Sequence, residues 1–355
     1  MVTSRSNANV ADLVERARGG QPRAVARLIS LVENDATELR EIAAALSPFG
    51  GHAQVVGLTG SPGVGKSTTT SAMVGVLREA GKRVGVLAVD PSSPFSGGAL
   101  LGDRVRMQDH ATDDGVFIRS MASRGQLGGL SAAVPQALRV LDAAGCDIVL
   151  IETVGVGQAE VEIASLADTT LLVVAPGFGD GIQAAKAGII EIADIFVVNK
   201  ADRPGADKLA NELEVMLHMR LGDMPASSGH HGVSLRAVGR HARESARQSA
   251  QESGAWAIPV LRTIGQNGEG VEELARTLDR HRVYLQESGE LSRRRRARLE
   301  ERVRAVVERR LQRLAWRSGR GEELLAESLP ALESGETSPY EVAERIVAEL
   351  GVTSR

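Results

Sequence analysis

Hydrophobic positions recur with a helical period in the first fifty residues and gather into short continuous runs after them. Between residues 9 and 46, apolar side chains return every three or four positions in three groups, as they do on the buried faces of amphipathic helices. The run GGQP at 19–22 separates the first two groups, and Ser47-Pro48 ends the third. This pattern predicts an N-terminal helical extension over residues 1–50.

Seven apolar runs follow, and most of them are rich in Val, Ile and Leu without alternation. They lie at 54–59, 83–89, 115–119, 146–151, 169–175, 194–198 and 258–263. Continuous apolar runs are typical of strands that helices cover on both faces. Because helix-like segments separate the runs, the predicted fold class is α/β, with a mainly parallel sheet flanked by helices over residues 51–285. Binding residues are then expected at the carboxyl ends of the strands.

Residues 286–355 predict a C-terminal helical segment that serves dimerisation. A helix over 291–317 combines 11 Arg and 3 Glu, a local charge of +8, with one apolar stripe. The stripe consists of Leu299, Val303, Val306, Val307, Leu311 and Leu314. Nucleic-acid or membrane binding is one interpretation. Packing on a partner subunit is favoured, because no aromatic stacking residues interleave with the arginines. A last helix over 339–350 is expected beside it.

Composition narrows the class of protein further. Of 355 residues, 25% are charged and 43% hydrophobic, and the net charge is −3, as in ordinary globular proteins that bind neither nucleic acid nor membrane. The single cysteine, Cys146, lies in an apolar run and is interpreted as a small buried residue. With no disulfide, no apolar signal peptide and no membrane-spanning run, a cytoplasmic location is expected.

The run GSPGVGKS at 60–67 fits the phosphate-binding loop G-x-x-x-x-G-K-[ST]. An apolar run precedes it and a helix-like segment follows it, which is the context that this loop needs; an ordinary glycine turn is the alternative. Backbone N–H groups of the loop would surround phosphate oxygens, Lys66 would reach the β- and γ-phosphates, and the Ser67 hydroxyl would ligate Mg²⁺. The predicted binding residues are Gly60, Ser61, Pro62, Gly63, Val64, Gly65, Lys66, Ser67 and Thr68.

A second motif, NKAD at 199–202, follows the sixth apolar run and resembles the guanine-recognition N-K-x-D of GTPases. The Asp202 carboxylate can accept hydrogen bonds from the ring N–H and the amino group of guanine, a donor pair that adenine lacks. The aliphatic stem of Lys200 can cover the base. Asn199, Lys200 and Asp202 are therefore predicted to bind the nucleotide; a common Asn/Lys/Asp turn is the alternative.

Carboxylates at or after other strand ends complete the predicted chemistry. Glu152 ends the fourth apolar run, and Gly155 three residues later is placed to contact a γ-phosphate. Asp90 follows the second run and Asp103 lies on the same connection. The predicted catalytic residues are Lys66, Asp90, Glu152 and Gly155, and the predicted metal ligands are Ser67, Asp90, Asp103 and Glu152. A structural ion pair for Glu152, and caps or turns for Asp90 and Asp103, remain alternatives.

Several of these segments together resemble the MeaB/ArgK family, the G-protein chaperones of the adenosylcobalamin enzyme methylmalonyl-CoA mutase. The matching runs are DPSSP at 90–94, GALLGDRVRM at 98–107, FIRSMA at 117–122, ETVGVGQ at 152–158 and NKADRP at 199–204. The resemblance implies a Mg²⁺-dependent homodimeric GTPase that binds GTP and GDP. It further implies that GTP hydrolysis gates adenosylcobalamin delivery to the mutase and protects that enzyme, with the cobalamin adenosyltransferase as a further partner.

The resemblance also assigns a third switch loop, in which Asp180, Gln183 and Lys186 would sense the mutase; a polar turn leading into a helix is the alternative. Two departures from the family pattern accompany it. Ile264-Gly265 stands where the family usually has a Ser-Ala pair that contacts guanine, so a backbone contact there survives but a side-chain contact does not. Gly181 replaces the second acidic residue of the switch.

Three other functions are compatible with a phosphate-binding loop. A small-molecule (amino-acid) kinase would give a phosphorylated product, and the NKAD motif argues against it. A metal-insertion GTPase would need a His-rich or Cys/His-rich tract, of which only His230-His231 is present. A nucleic-acid-binding GTPase would use the arginines at 293–296 and bind with a steep salt dependence.

Overall fold

The computed structural model describes residues 3–34, 38–90, 110, 112–122, 133–153, 159–177, 191–220, 254–318 and 320–349. The chain forms two compact units, Met1–Leu291 and Ser292–Arg355. The finer division into segments 1–50, 51–285 and 286–355 stays a prediction.

Each of the seven predicted strands is present, and they form one fully parallel sheet. The strands are β1 (Gln54–Thr59), β2 (Val84–Asp90), β3 (Val116–Ala122), β4 (Ile148–Thr153), β5 (Thr169–Val174), β6 (Ile195–Val198) and β7 (Val260–Arg262). Their order across the sheet is β3-β2-β4-β1-β5-β6-β7, with β1 in the centre. Because all strands point the same way, their carboxyl ends meet at one edge, where the predicted site residues follow them.

Helices cover both faces of this sheet. Those of the first unit are α1 (Thr3–Arg18), α2 (Pro22–Glu33), α3 (Leu39–Leu46), α4 (Lys66–Glu79), α5 (Val134–Ala143), α6 (Ala159–Leu166), α7 (Ala206–Arg220) and α8 (Val271–Glu287). Alternate residues of β4 illustrate the two layers: Ile148 and Leu150 pack with α4 and α8, whereas Val149 and Ile151 pack toward the N-terminal helices. Burial on both faces explains why the strands read as continuous apolar runs.

The predicted N-terminal helices are confirmed, and they share a core with the sheet. Leu28 and Ile29 of α2 are fully buried in the same cluster as Leu87 of β2, Met121 of β3 and Ile151 of β4. The single cysteine, Cys146, is also buried in this cluster, as predicted. Burial raises the pKa of its thiol to about 12, so the thiol stays protonated at neutral pH and is a poor nucleophile.

The second unit contains the predicted basic helix and a helix that the sequence pattern did not predict. Its elements are α9 (Glu290–Arg313), which begins just before the unit boundary, a π-helical turn (Leu314–Ser318), α10 (Gly321–Ser334) and α11 (Pro339–Glu349). The unpredicted α10 contains Pro330, which interrupts the sequence signal of a helix. The last helix packs on α10 through Leu324, Val342 and Ile346. No helix in the described part of the chain has the length and apolarity to cross a bilayer.

Candidate functional site

The glycine-rich loop turns sharply between the end of β1 and the start of α4. Gly60 and Gly65 have φ values of +136° and +99°, a region that residues with a Cβ rarely adopt. A Cβ at Gly60 would overlap the carbonyl oxygen of Val173 on β5, and one at Gly65 would overlap the side-chain amide of Asn199. These two positions therefore require glycine, both for the turn and for the close approach of neighbouring elements.

Lys66, the first residue of α4, points back into the loop. Its side chain is buried, with 6% exposure, and Nζ donates hydrogen bonds to the carbonyl oxygens of Gly60 at 2.6 Å and Ser61 at 3.1 Å. A buried ammonium group held by two carbonyls lies within the loop that would surround the phosphates. The same donor can serve phosphate oxygens, whose negative charge strengthens the bond to the ammonium group.

Ser67 and Glu152 meet at the same place, although they are 85 residues apart. The Ser67 hydroxyl donates to Glu152 Oε1, and both residues are buried, with Glu152 only 3% exposed. Glu152 sits near the end of β4, between Leu58 of β1 and Ala88 of β2 in the strand register. A hydroxyl and a carboxylate are the hard oxygen ligands that suit Mg²⁺, so this pair fits the ion.

Of the other predicted metal-side and switch residues, only Asp90 lies among the described residues. Asp90 is the last residue of β2, and its backbone pairs with Ala122 of β3, which places it at the correct edge of the sheet. Five predicted residues lie outside the described residues: Asp103, Gly155, Asp180, Gln183 and Lys186.

Asn199 ties three loops of this edge together, a role that the sequence did not reveal. It is buried, and its Nδ2 donates to the Val64 carbonyl at 2.9 Å in the phosphate-binding loop. Its Oδ1 accepts from Gly265 N at 3.0 Å and Thr263 Oγ1 at 3.3 Å after β7. One side chain thus links the loops that follow β1, β6 and β7. It uses both halves of its amide to do so.

Lys200 adds a second link to the phosphate-binding loop. It has a φ of +56° and is the only non-glycine with positive φ among the described residues. Its Nζ donates to the Gly63 carbonyl at 2.6 Å, so the side chain extends across the loop. Partial burial, together with the charge of Arg203, lowers its pKa, and the neighbouring Asp202 opposes this shift. Asp202 itself is exposed in the following turn, where a base can reach it.

The Ile264-Gly265 pair is also brought to the site. Ile264 N donates to the Glu269 carbonyl at 2.9 Å, which closes the turn after β7. A Cβ on the buried Gly265 would lie 3.2 Å from Thr69 N and 3.3 Å from Thr69 Oγ1, so this position lies directly against the first turn of α4. The missing side chain therefore allows close packing of the two elements.

Loss of the Asn199 amide is expected to loosen this assembly. In Asn199→Ala, the Val64 carbonyl and the Gly265 N–H lose their side-chain partner inside the protein. We therefore expect the free energy of unfolding to fall by about 3 kcal/mol. Chemical denaturation of the two proteins checks the expectation. Asn267→Ala, which removes an exposed asparagine whose Oδ1 accepts from Glu269 N in the same turn, is the control. Equal stability of the two variants would contradict the assigned linking role.

A parallel sheet with a glycine-rich loop between its central strand and a helix defines a P-loop nucleotide-binding α/β protein. A family model described as methylmalonyl-CoA mutase-associated GTPase MeaB matches residues 25–320. The chain therefore belongs to this family, as its sequence motifs predicted, and it is a GTPase that hydrolyses GTP to GDP and phosphate.

Individual relatives agree with this assignment. A putative GTPase of Pyrococcus horikoshii is 48% identical over 296 residues, which cover 83% of this chain and 85% of the relative. The mouse mitochondrial methylmalonic aciduria type A homolog is 34% identical over 290 residues, covering 77% of this chain and 63% of that protein. A solved structure of an LAO/AO transport system kinase matches with a TM-score of 0.64 at 24% identity, and the match covers 97% of this chain and 98% of that one. It supports the fold alone.

Proposed function

We propose that this protein is a Mg²⁺-dependent GTPase switch that acts as a chaperone of adenosylcobalamin-dependent methylmalonyl-CoA mutase. GTP hydrolysis would gate delivery of the cofactor to the mutase and protect the loaded enzyme. Family membership supports the choice of partner, since the family is described as mutase-associated. The observation that carries the nucleotide part is the Asn199 link, because it holds the NKAD turn against the phosphate-binding loop.

The residues divide into three roles in this proposal. Residues 60–68 of the loop and first helical turn hold the phosphates, with Lys66 neutralising their charge. Asn199, Lys200 and Asp202 form the guanine side, together with the backbone of Ile264 and Gly265. Ser67 and Glu152 hold Mg²⁺ directly or through water, assisted by Asp90 and Asp103. When bound, the ion neutralises charge on the phosphate oxygens.

Two loops would convert hydrolysis into a signal for the partner. Gly155 N–H would contact the γ-phosphate and release it after hydrolysis. Asp180, Gln183 and Lys186 would form the loop that senses the mutase. The role of Gly155 follows from its place three residues after Glu152, and the role of the sensing loop comes from the family pattern. Loss of either contact should uncouple nucleotide state from mutase binding.

The same proposal includes a homodimer, with the cobalamin adenosyltransferase as a second partner and a cytoplasmic location. The apolar stripe on α9 supports the dimer. Five of its side chains are 42–64% exposed in the single chain: Leu299, Val303, Val306, Val307 and Leu311. A continuous row of exposed Leu and Val on a helix is typical of an interface between protein chains.

Capture of the mutase tests the chaperone role. We expect immobilised full-length protein to retain a B12-dependent mutase to different extents with a non-hydrolysable GTP analogue and with GDP. Lys66→Ala, which should bind both nucleotides far more weakly, is the control; at nucleotide concentrations that saturate only the unaltered protein, it is expected to retain the mutase equally under both conditions. Retention by the unaltered protein that does not depend on the nucleotide would contradict a nucleotide-gated chaperone.

A further inference from the structure

A partly buried ion pair joins β3, an edge strand of the described sheet, to the N-terminal helices. Arg119 on β3 pairs through Nη2 with Glu33 Oε2 at the end of α2, and Nη2 also donates to Ser30 Oγ at 3.1 Å. The Arg119 and Glu33 side chains are 21% and 13% exposed. The contact joins positions 86 residues apart in the chain, so it is a tertiary link between the helical extension and the sheet.

The surroundings of this pair are apolar. Side chains alternate along a strand, so Phe117 and Met121 share a face of β3 with Arg119, and both pack in the core that contains Ile29 and Val32 of α2. If β3 slid by two residues, an apolar side chain would face the glutamate and both charges would lose their partner in a partly buried interface. Such a penalty lets an ion pair specify one register. The pair therefore fixes β3 against α2.

The strand that is fixed in this way supports the end of β2. β3 pairs with β2 from Val84↔Val116 to Asp90↔Ala122, so the last residue of β2 has a ladder partner on β3. Arg119 is three positions before Ala122, so the ion pair lies close to the end that supports Asp90.

We propose that Arg119 and Glu33 are positioning residues for Asp90 and, through Asp90, for Mg²⁺. The inference rests on the proposed function, in which Asp90 lies on the metal side of the site. The ion pair holds β3, β3 holds the last backbone position of β2, and that position carries the Asp90 carboxylate. Residues that orient a metal ligand without touching the metal commonly set how tightly the metal is bound. The N-terminal helices are then part of the GTPase site.

Breaking the pair in the full-length protein tests the inference. In Glu33→Gln, we expect the Mg²⁺ concentration for half-maximal strengthening of GDP binding to rise by about ten-fold, at the low end of the losses that outer partners of metal ligands cause. GDP affinity measured in excess chelator should stay unchanged. Hydrogen exchange should become faster at the amides of Asp90 and Ala122, a readout that does not depend on GTP turnover.

A second ion pair near the other end of β3 provides a matched control. Arg78 of α4 binds Asp113 with Nε to Oδ2 at 2.8 Å and Nη2 to Oδ1 at 2.9 Å, and their side chains are 25% and 33% exposed. This pair lies just before Val116, away from the carboxyl ends of the strands. Asp113→Asn is expected to lower thermal stability but to leave the Mg²⁺ dependence of GDP binding unchanged.

The outcomes separate the inference from the proposed function. A Mg²⁺ half-saturation in Glu33→Gln equal to that in Asp113→Asn would overturn the positioning role and leave the GTPase proposal standing. GDP binding by the unaltered protein that does not depend on Mg²⁺ would overturn both.

If Glu33→Gln reduces the folded fraction, Arg119→Lys carries the same test. It keeps a cation beside Glu33 and should shift the Mg²⁺ half-saturation in the same direction by a smaller factor, and a shift no larger than that of Asp113→Asn would overturn the role.

Discussion

Replacement of Lys66 by alanine is expected to weaken GTP and GDP binding by about 100-fold. The Nζ atom is buried at the start of α4 and already points into the loop, where two carbonyl oxygens hold it. Two charge-assisted hydrogen bonds to phosphate oxygens contribute about 3 kcal/mol together, which corresponds to that factor. Isothermal titration with each nucleotide in the presence of Mg²⁺ measures the change.

A control for Lys66→Ala must remove a lysine without touching the loop. Lys82 serves this purpose, because its Nζ pairs with Asp279 at 2.6 Å near the far end of α4. Lys82→Ala should bind both nucleotides as the unaltered protein does. Circular dichroism of both variants checks that they are folded. If Lys66→Ala retained full affinity, the loop at 60–67 would not be the phosphate site.

Replacement of Asp202 by asparagine is expected to change which purine the protein prefers. A carboxylate accepts from both the ring N–H and the amino group of guanine, whereas an amide presents one acceptor and one donor. The donor of the amide suits the carbonyl that xanthine has in place of the amino group. We expect GTP affinity to fall by about 100-fold or more, because a mismatched polar pair is left in the complex, and xanthosine triphosphate to become the better ligand.

Competition between GTP and xanthosine triphosphate for a fluorescent nucleotide measures this preference. Asp207→Asn is the matched control, since Asp207 is an exposed carboxylate five residues later that pairs with Arg262 at 3.3 Å. It should leave the preference for guanine intact. An unchanged preference in Asp202→Asn would assign guanine recognition to another group of the site.

The sequence predicted best those features that depend on neighbouring residues. Each strand is a local apolar run, and the phosphate-binding loop is a contiguous motif whose glycines adopt the required backbone angles. The helix α10 was missed because Pro330 breaks the local pattern, while contacts made by Leu324 with α11 sustain the helix. Tertiary packing overrides weak local preference in such cases.

Contacts between distant positions could not be predicted. Asn199 was expected on the base side, yet its described hydrogen bonds include one to Val64, 135 residues earlier, and one to Gly265, 66 residues later. The pairing of Glu33 with Arg119 spans 86 residues and gives no signal in a single sequence. A charged residue in a strand and another at a helix end are individually ordinary. Only the fold shows that they meet.

The most direct test of a guanine nucleotide site at this edge of the sheet is calorimetric titration of the purified full-length protein with GTP, GDP and ATP, with and without Mg²⁺. We expect saturable binding of one GTP or GDP per chain, stronger with Mg²⁺, and no comparable binding of ATP. Absence of heat with both guanine nucleotides in the presence of Mg²⁺, or equal binding of ATP, would contradict the site that Lys66, Glu152 and the NKAD turn are proposed to form.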